Sequence, residues 1–324
     1  MDKRERLRAA IGGAAADRAP VALWRHFPVD DQSPEDLAAA TLEFQDMYDF
    51  DFVKVTPASS YCLKDWGVDD EWRGNPEGTR DYTRRVVARP EDWLTLKPLD
   101  PMAGRLGAQL RALEVIRDGL GGRTPFIHTI FSPLSQARNL VGEDRLPTHL
   151  RQHPGELKAA LSVITETTLG FLDAARQTGI EGIFYAVQLA TSRVFSEAEY
   201  REFGEPYDRR ILQAASGLWL NVAHLHGEDV MFDLVAGYGA AVVNWHDRET
   251  PPSLAEAQKR FPGAVCGGIR QWETMVRGTP DLVRAEARAA IEETGGRRFI
   301  LGTGCVTPIV TPRANLRAAR EAVG

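Results

Sequence analysis

The amino-acid sequence predicts one α/β domain over residues 1–324, folded as a TIM-like (β/α)8 barrel. Three observations predict it. Short apolar runs alternate with helical periodicity eight times along the chain. The runs are continuously apolar, as parallel strands buried on both faces require. No Gly-x-Gly-x-x-Gly follows the first run, which weakens the open doubly wound sheet as the alternative.

Taken in order, Met1–Ile11 reads as a charged amphipathic helix stopped by Gly12-Gly13, and Val21–Trp24 as the first strand. Ser33-Pro34-Glu35-Asp36 starts a helix that runs to about Tyr48: serine at the cap, proline at the first position, acids in the first turn. Phe52–Val55 is the second strand. An excursion at about 57–100 follows, irregular and rich in Gly and Pro; a long excursion after a strand usually carries function or covers a site. Pro101–Leu120 is helical. Phe126–Ile130, Gly182–Val187, Trp219–Ala223, Gly239–Asn244, Gly263–Ile269 and Arg298–Gly302 are the remaining strands. Helices are expected at Gly155–Thr178, from Ser196, from Thr279-Pro280 to Gly295-Gly296, and after Thr311-Pro312. No linker divides the chain.

A hydrophobic content of 43% and a charged content of 26% suit a chain that buries a large core. The net charge of -6 and the lack of a Lys/Arg run argue against nucleic acid as a partner. No run is long enough to cross a bilayer, and the charged N-terminus has no apolar signal core, so a cytoplasmic location is expected. The three cysteines, Cys62, Cys266 and Cys305, are not a disulfide framework.

In a (β/α)8 barrel the chemistry sits at the C-terminal ends of the strands. That rule selects Arg25 and His26, Thr56, Phe131-Ser132, Gln188, His224 and His226, His246, Arg270, and Thr303 with Cys305. A substrate cavity is expected on the face holding Arg25, Gln188, His224 and Cys305. His224 and His226 stand two apart, so on an extended strand both imidazoles point the same way. That is half of a metal site, and Cys305 is the best third ligand. The competing reading makes one histidine a helix cap and the other a solvated loop residue. His128 is expected to pack inside its strand, His149 and His153 to lie on exposed helical segments, and Cys62 and Cys266 to be structural.

The chain also resembles the uroporphyrinogen decarboxylase superfamily. The resemblance rests on Arg18-Ala19-Pro20-Val21, Arg85-Val86-Val87 through Trp93, Gly204-Glu205-Pro206-Tyr207, His224-Leu225-His226-Gly227, Gly267-Gly268-Ile269, Gly278-Thr279-Pro280, and Gly302-Thr303-Gly304-Cys305 through Asn315. It implies a TIM-like barrel and one of two chemistries. The decarboxylase branch needs no cofactor. It uses arginines after the first strand, a carboxylate after the second, a tyrosine after the third and a histidine after the eighth. Here those places read Trp24-Arg25-His26-Phe27-Pro28, Thr56-Pro57, Phe131–Asn139 without tyrosine, and Thr303. Arg138, Arg193, Arg248 and Arg270 could partly substitute.

The other branch comprises zinc methyltransferases that pass a methyl group between a corrinoid or other carrier and a thiol. Its pattern is His-x-Cys after the fifth strand and Gly-Cys after the eighth. This chain has Gly304-Cys305 but His224-x-His226, so an imidazole replaces one thiolate; both are good zinc ligands. The expected ligands are then His224, His226, Cys305 and His246, with Asp247 as a rival to His246. Arg25, His26, Gln188 and Arg270 are the expected substrate contacts. The reading favoured is a zinc-dependent methyltransferase acting on a small molecule, with a corrinoid protein as possible partner. The alternatives are uroporphyrinogen decarboxylation, a hydrolase using metal-bound water, and a non-catalytic corrinoid or methyl-carrier binder.

Overall fold

The computed structural model describes all 324 residues. Its strands are β1 (Val53–Val55), β2 (Asp69–Glu71), β3 (Asp81–Arg84), β4 (Phe126–Phe131), β5 (Gly182–Val187), β6 (Val222–Leu225), β7 (Val242–Asn244), β8 (Ala264–Ile269) and β9 (Phe299–Thr303). Seven of them form one parallel sheet in the order β1-β4-β5-β6-β7-β8-β9. The seam between β9 and β1 is closed by the segment around Val21. Val21 bridges Leu301 in parallel. The Ala22 amide donates to the Leu301 carbonyl (3.0 Å) and the Leu301 amide to that of Pro20 (2.8 Å). On the other side the Asp51 amide donates to the Val21 carbonyl (2.9 Å). The result is an α/β barrel with eight strand positions.

The first position is a bridge rather than the expected strand, for a local reason. Pro20 has no amide proton, and the Val21 amide is taken by the Asp51 carboxylate (2.8 Å). Asp51 is fully buried and also accepts from Arg6 (2.7 Å) and Arg18 (2.7 Å). The Arg18-Ala19-Pro20-Val21 motif is thus a clamp that seals the seam.

Helices occupy Pro34–Tyr48, Gly104–Leu120, Pro154–Gln177, Pro280–Thr294 and Arg313–Glu321, close to the expected limits. The short helix Pro133–Val141 was not expected; Leu146–Gln152 is the helical segment expected around His149. The helix from Ser196 ends at Phe203 and resumes at Glu205, because Pro206 cannot donate within a continuous helix. One apolar cluster runs through the barrel and its helices, from Leu7 to Val323.

The excursion after β1 is more regular than expected. β2 and β3 form an antiparallel hairpin. It is anchored by the Asp70 carboxylate, which accepts from Lys64 (2.7 Å) and Arg80 (3.1 Å). Glu77, Thr79, Arg80, Asp81, Tyr82 and Arg85 from this hairpin and its flanks face the barrel mouth, so the excursion roofs it.

Candidate metal centre and its cavity

β6 begins at Val222 rather than Trp219 and takes in His224, which the sequence placed just beyond the strand. Residues on neighbouring strands that share a register point the same way. His224 pairs with Ala186 on one side and Asn244 on the other. The Asn244 side-chain oxygen therefore meets His224 Nδ1 at 2.7 Å. The Asn244 amide nitrogen is fixed in turn, donating to the carbonyls of Cys266 (2.9 Å) and Thr303 (3.0 Å). With that NH2 engaged, the Asn244 oxygen can only accept, so Nδ1 of His224 carries the proton and Nε2 presents a lone pair. Nε2 lies 3.7 Å from Cys305 Sγ.

His226, two residues on, presents Nδ1 to the same sulfur at 3.6 Å. His246, two residues beyond Asn244, brings its Nε2 to 3.4 Å from His226 Nδ1. Its own Nδ1 bonds the Glu249 carboxylate at 2.9 Å, which again leaves Nε2 as the lone-pair nitrogen. Ligand atoms of His224, His226 and Cys305 all lie within 4.8 Å of one another. Gly304 makes this approach possible. A Cβ there would stand 2.7 Å from His246 Cα and 3.0 Å from the Trp245 carbonyl.

The electrostatics follow from the packing. Burial opposes ionisation of Cys305, yet the adjacent His224, His226 and His246 rings outweigh it and hold the thiol well below its usual range. Burial pushes His224 down, towards the neutral imidazole. For His246 burial is outweighed by Cys305 and Glu249, and its pKa rises to about 10.

Three of the donor–donor distances suit zinc. Zn–N bonds of about 2.0–2.1 Å and Zn–S bonds of about 2.3 Å put tetrahedral donors about 3.4 Å apart for two nitrogens and about 3.6 Å apart for nitrogen and sulfur. The structure has 3.4 Å between the His226 and His246 nitrogens, and 3.6 and 3.7 Å from Cys305 sulfur to His226 and His224. Asp247 is not part of the cluster. Its carboxylate turns away to accept from the Gly268 amide (3.1 Å) beside Arg248.

The cluster opens into a cavity of about 700 Å³ at the C-terminal end of the barrel. Gln188, His224, His226, Cys305 and His26 line it, as expected. Arg25 does not. Trp24 and His26 face the cavity, so the alternation of an extended segment turns Arg25 outward. Its guanidinium lies over Phe27, 5.4 Å from the ring centre, in a crevice with Thr41 and Phe44. Arg270 is also misplaced. Its amide donates to Glu286 (3.1 Å) and its guanidinium pairs with the same carboxylate, outside the cavity. Gln188 accepts from Arg138 (2.9 Å), which the sequence had offered only as a substitute arginine. Of the four arginines so named, Arg138 and Arg193 line the cavity, whereas Arg248 pairs with Glu293 (2.9 Å). His128 packs against Tyr61 and Phe171. His149 is buried rather than exposed, and its Nδ1 accepts from the Trp93 indole (2.9 Å).

One wall residue escaped the sequence reading. Lys54 sits in the middle of β1, between two valines, where a lone charge in a three-residue strand reads as a solvated position. It points instead into the cavity.

The uroporphyrinogen decarboxylase (URO-D) family profile matches residues 2–324. The chain belongs to the URO-D family. Among its relatives, the methylcobamide:CoM methyltransferase MtaA of Methanosarcina barkeri is 24% identical, over 97% of this chain and 95% of that one. A uroporphyrinogen decarboxylase of Sorangium cellulosum is 30% identical over 68% of this chain and 64% of that one. A methyltransferase from Methanosarcina mazei has the same fold, with a TM-score of 0.87 at 19% identity, covering 99% of this chain and 98% of that one. Both branches that the sequence resembles are thus represented. The family relatives are enzymes, and no helix of this chain is long and apolar enough to cross a membrane.

Proposed function

We propose that this URO-D family member is a zinc-dependent methyltransferase that moves a methyl group from a corrinoid or similar carrier protein to a small thiol. The observation that carries the reading is the cluster of His224, His226 and Cys305, whose donor atoms all lie within 4.8 Å of one another, with the Cys305 sulfur 3.7 and 3.6 Å from the two imidazole nitrogens, as zinc ligands require. His246 Nε2 stands at the edge of this cluster, 3.4 Å from His226 Nδ1. His224, His226 and Cys305 would be the permanent ligands. His246, oriented by the exposed Glu249, would be the ligand that gives way to substrate.

A zinc ion held by these residues would supply Lewis-acid chemistry, favouring the nucleophilic thiolate form of a coordinating thiol at neutral pH. The rest is done by the chain. Asn244 fixes the His224 tautomer, and Glu249 fixes that of His246. Trp24 and Phe184 give the cavity floor an apolar wall that limits water. In the transfer, a sulfur lone pair forms the S–C bond as the bond from methyl carbon to carrier breaks, and that electron pair stays on the carrier. No proton need move in this step, so no acid/base pair is required; placement of the two reactants in line supplies the rate. A cytoplasmic location is part of this reading.

The relatives also include decarboxylases, and Arg80, Arg85, Arg138 and Arg193 line the cavity, but the strand ends where that branch is expected to carry its arginines, carboxylate, tyrosine and histidine read differently in this chain. The test is metal analysis of protein purified without chelator, alongside Cys305→Ser. About one zinc per chain is expected in the wild type, with a steep loss in the variant at unchanged fold, since serine is a poor zinc ligand at neutral pH. Metal-free protein that turns over uroporphyrinogen would overturn the proposal.

A further inference from the structure

Buried cations in this chain are paired, with one exception. Arg6 and Arg18 meet Asp51, each at 2.7 Å, and Lys64 meets Asp70 at 2.7 Å. On the cavity wall, Arg80 is held by Asp70 (3.1 Å) and Arg193 by Asp229 (3.0 Å), while Arg138 donates to Gln188 and Asn139. Lys54 is only 7% exposed and has neither a carboxylate nor any other hydrogen-bond partner. Its ammonium lies 4.5 Å from the centre of the Phe184 ring and 6.0 Å from that of Trp24. Ring faces attract a cation but do not neutralise it, and an unpaired buried charge is costly. A lysine that served only to fill space here would be better replaced by leucine or methionine.

A second group nearby is also unsatisfied. His26 lines the same cavity, and its Nδ1 is buried without a partner. Burial first, and the Lys54 charge second, lower its pKa to about 3, so the ring is neutral and has one N–H to donate. Gly78, in the roof of the cavity, packs directly on His26; a Cβ there would stand 2.6 Å from that of His26. The imidazole is thereby held in place.

We propose that Lys54 and His26 form an oxyanion-binding subsite in the floor of the cavity, so that the small molecule handled beside Cys305 carries a carboxylate or comparable oxyanion. The Phe184 ring ties this subsite to the metal cluster. It stacks on His224 with centroids 5.0 Å apart and receives the Lys54 ammonium as well. Burial lowers the pKa of the Lys54 ammonium to about 7, and no carboxylate of the protein pairs with it. Resting on the proposed function, an anionic substrate beside Cys305 supplies that counter-ion and holds the charge. A carboxylate accepting from both the Lys54 ammonium and the His26 N–H makes charge-assisted hydrogen bonds at low dielectric, among the strong ones.

The subsite is tested apart from the metal. Propionate and its uncharged counterpart propionamide are titrated by calorimetry into metal-free and zinc-loaded protein, for the wild type, Lys54→Met and Lys54→Arg. The wild type should prefer propionate by about tenfold or more. Lys54→Met should erase the preference without changing zinc content, and Lys54→Arg should keep part of it. Equal affinity for acid and amide in the wild type, or undiminished selectivity in Lys54→Met, overturns the inference. Normal zinc binding without any charge preference removes the subsite and leaves the metal reading. A chain that takes up no zinc yet keeps a Lys54-dependent preference supports the subsite and removes the metal.

Discussion

Replacing Asn244 with alanine tests whether the barrel, and not the ligands alone, builds the metal centre. The side chain makes three bonds: its oxygen meets His224 Nδ1 at 2.7 Å, and its amide reaches the carbonyls of Cys266 and Thr303. The substitution leaves all four proposed ligands in place. It frees His224 to take the other tautomer, with its proton on Nε2, where the lone pair is needed. It also frees the ring to turn. Loss of a group that orients a ligand typically costs 10–100-fold in metal affinity, or about 1.4–2.7 kcal/mol. The two carbonyls lose a donor as well, which adds about 1–2 kcal/mol of lost fold stability. The two effects are separable. Zinc affinity is measured by competition with a chromophoric chelator, and unfolding in denaturant is followed with zinc stripped. An Asn244→Ala protein that binds zinc as tightly as the wild type would refute the tautomer argument, whatever happened to its stability.

Other outcomes follow from the same geometry. His246→Ala should weaken zinc binding less than loss of His224, and cobalt-substituted protein should show an added water ligand by its visible spectrum; an unchanged spectrum would place His246 outside the coordination sphere. Asp51→Ala leaves Arg18, at 13% side-chain exposure, without its carboxylate, while Arg6 keeps only Asp17 (2.8 Å). Breaking a buried pair in this way costs about 3–5 kcal/mol, read from the denaturation midpoint, and zinc affinity should not change because the clamp lies at the barrel seam.

The barrel was legible because its signal is periodic. Continuous apolar runs and helix starts such as Ser33-Pro34 mark their elements locally, and the structure places most of them within a few residues. The first strand was overstated because its hydrogen bonds depend on Asp51, thirty residues on in the chain, which no local pattern reveals. The cluster of His224, His226 and Cys305 was legible for a related reason. The i, i+2 spacing of His224 and His226 fixes their common direction, and the strand-end rule brings Cys305 and His246 to the same rim. That rule names an end of a strand but not a face. It therefore admitted Arg25 and Arg270, which alternation and a helix carboxylate turn away, and it passed over Lys54, which lies within a strand and not after it. Asn244 was missed likewise: as a strand-terminal polar residue it says nothing alone, and its role comes from register with His224 across two strands.

The charge on the proposed centre bears on what it can accept. Zn²⁺ with two or three neutral imidazoles and one thiolate keeps one positive charge, whereas a ligand set with a second thiolate would be neutral. Having His226 where the family's methyltransferase pattern has cysteine therefore raises the pull on an incoming anion at the metal. Lys54 adds a second positive charge on the far side of Phe184 in the contact chain, in a floor walled by aromatic rings. Burial lowers the Lys54 pKa to about 7, so its charge is held only beside an anion. A small thiol that also bears a carboxylate supplies an anion at each end, one for the metal and one for Lys54. An uncharged thiol would satisfy the metal and leave Lys54 buried and unpaired, so the same cavity that binds the first should discriminate against the second.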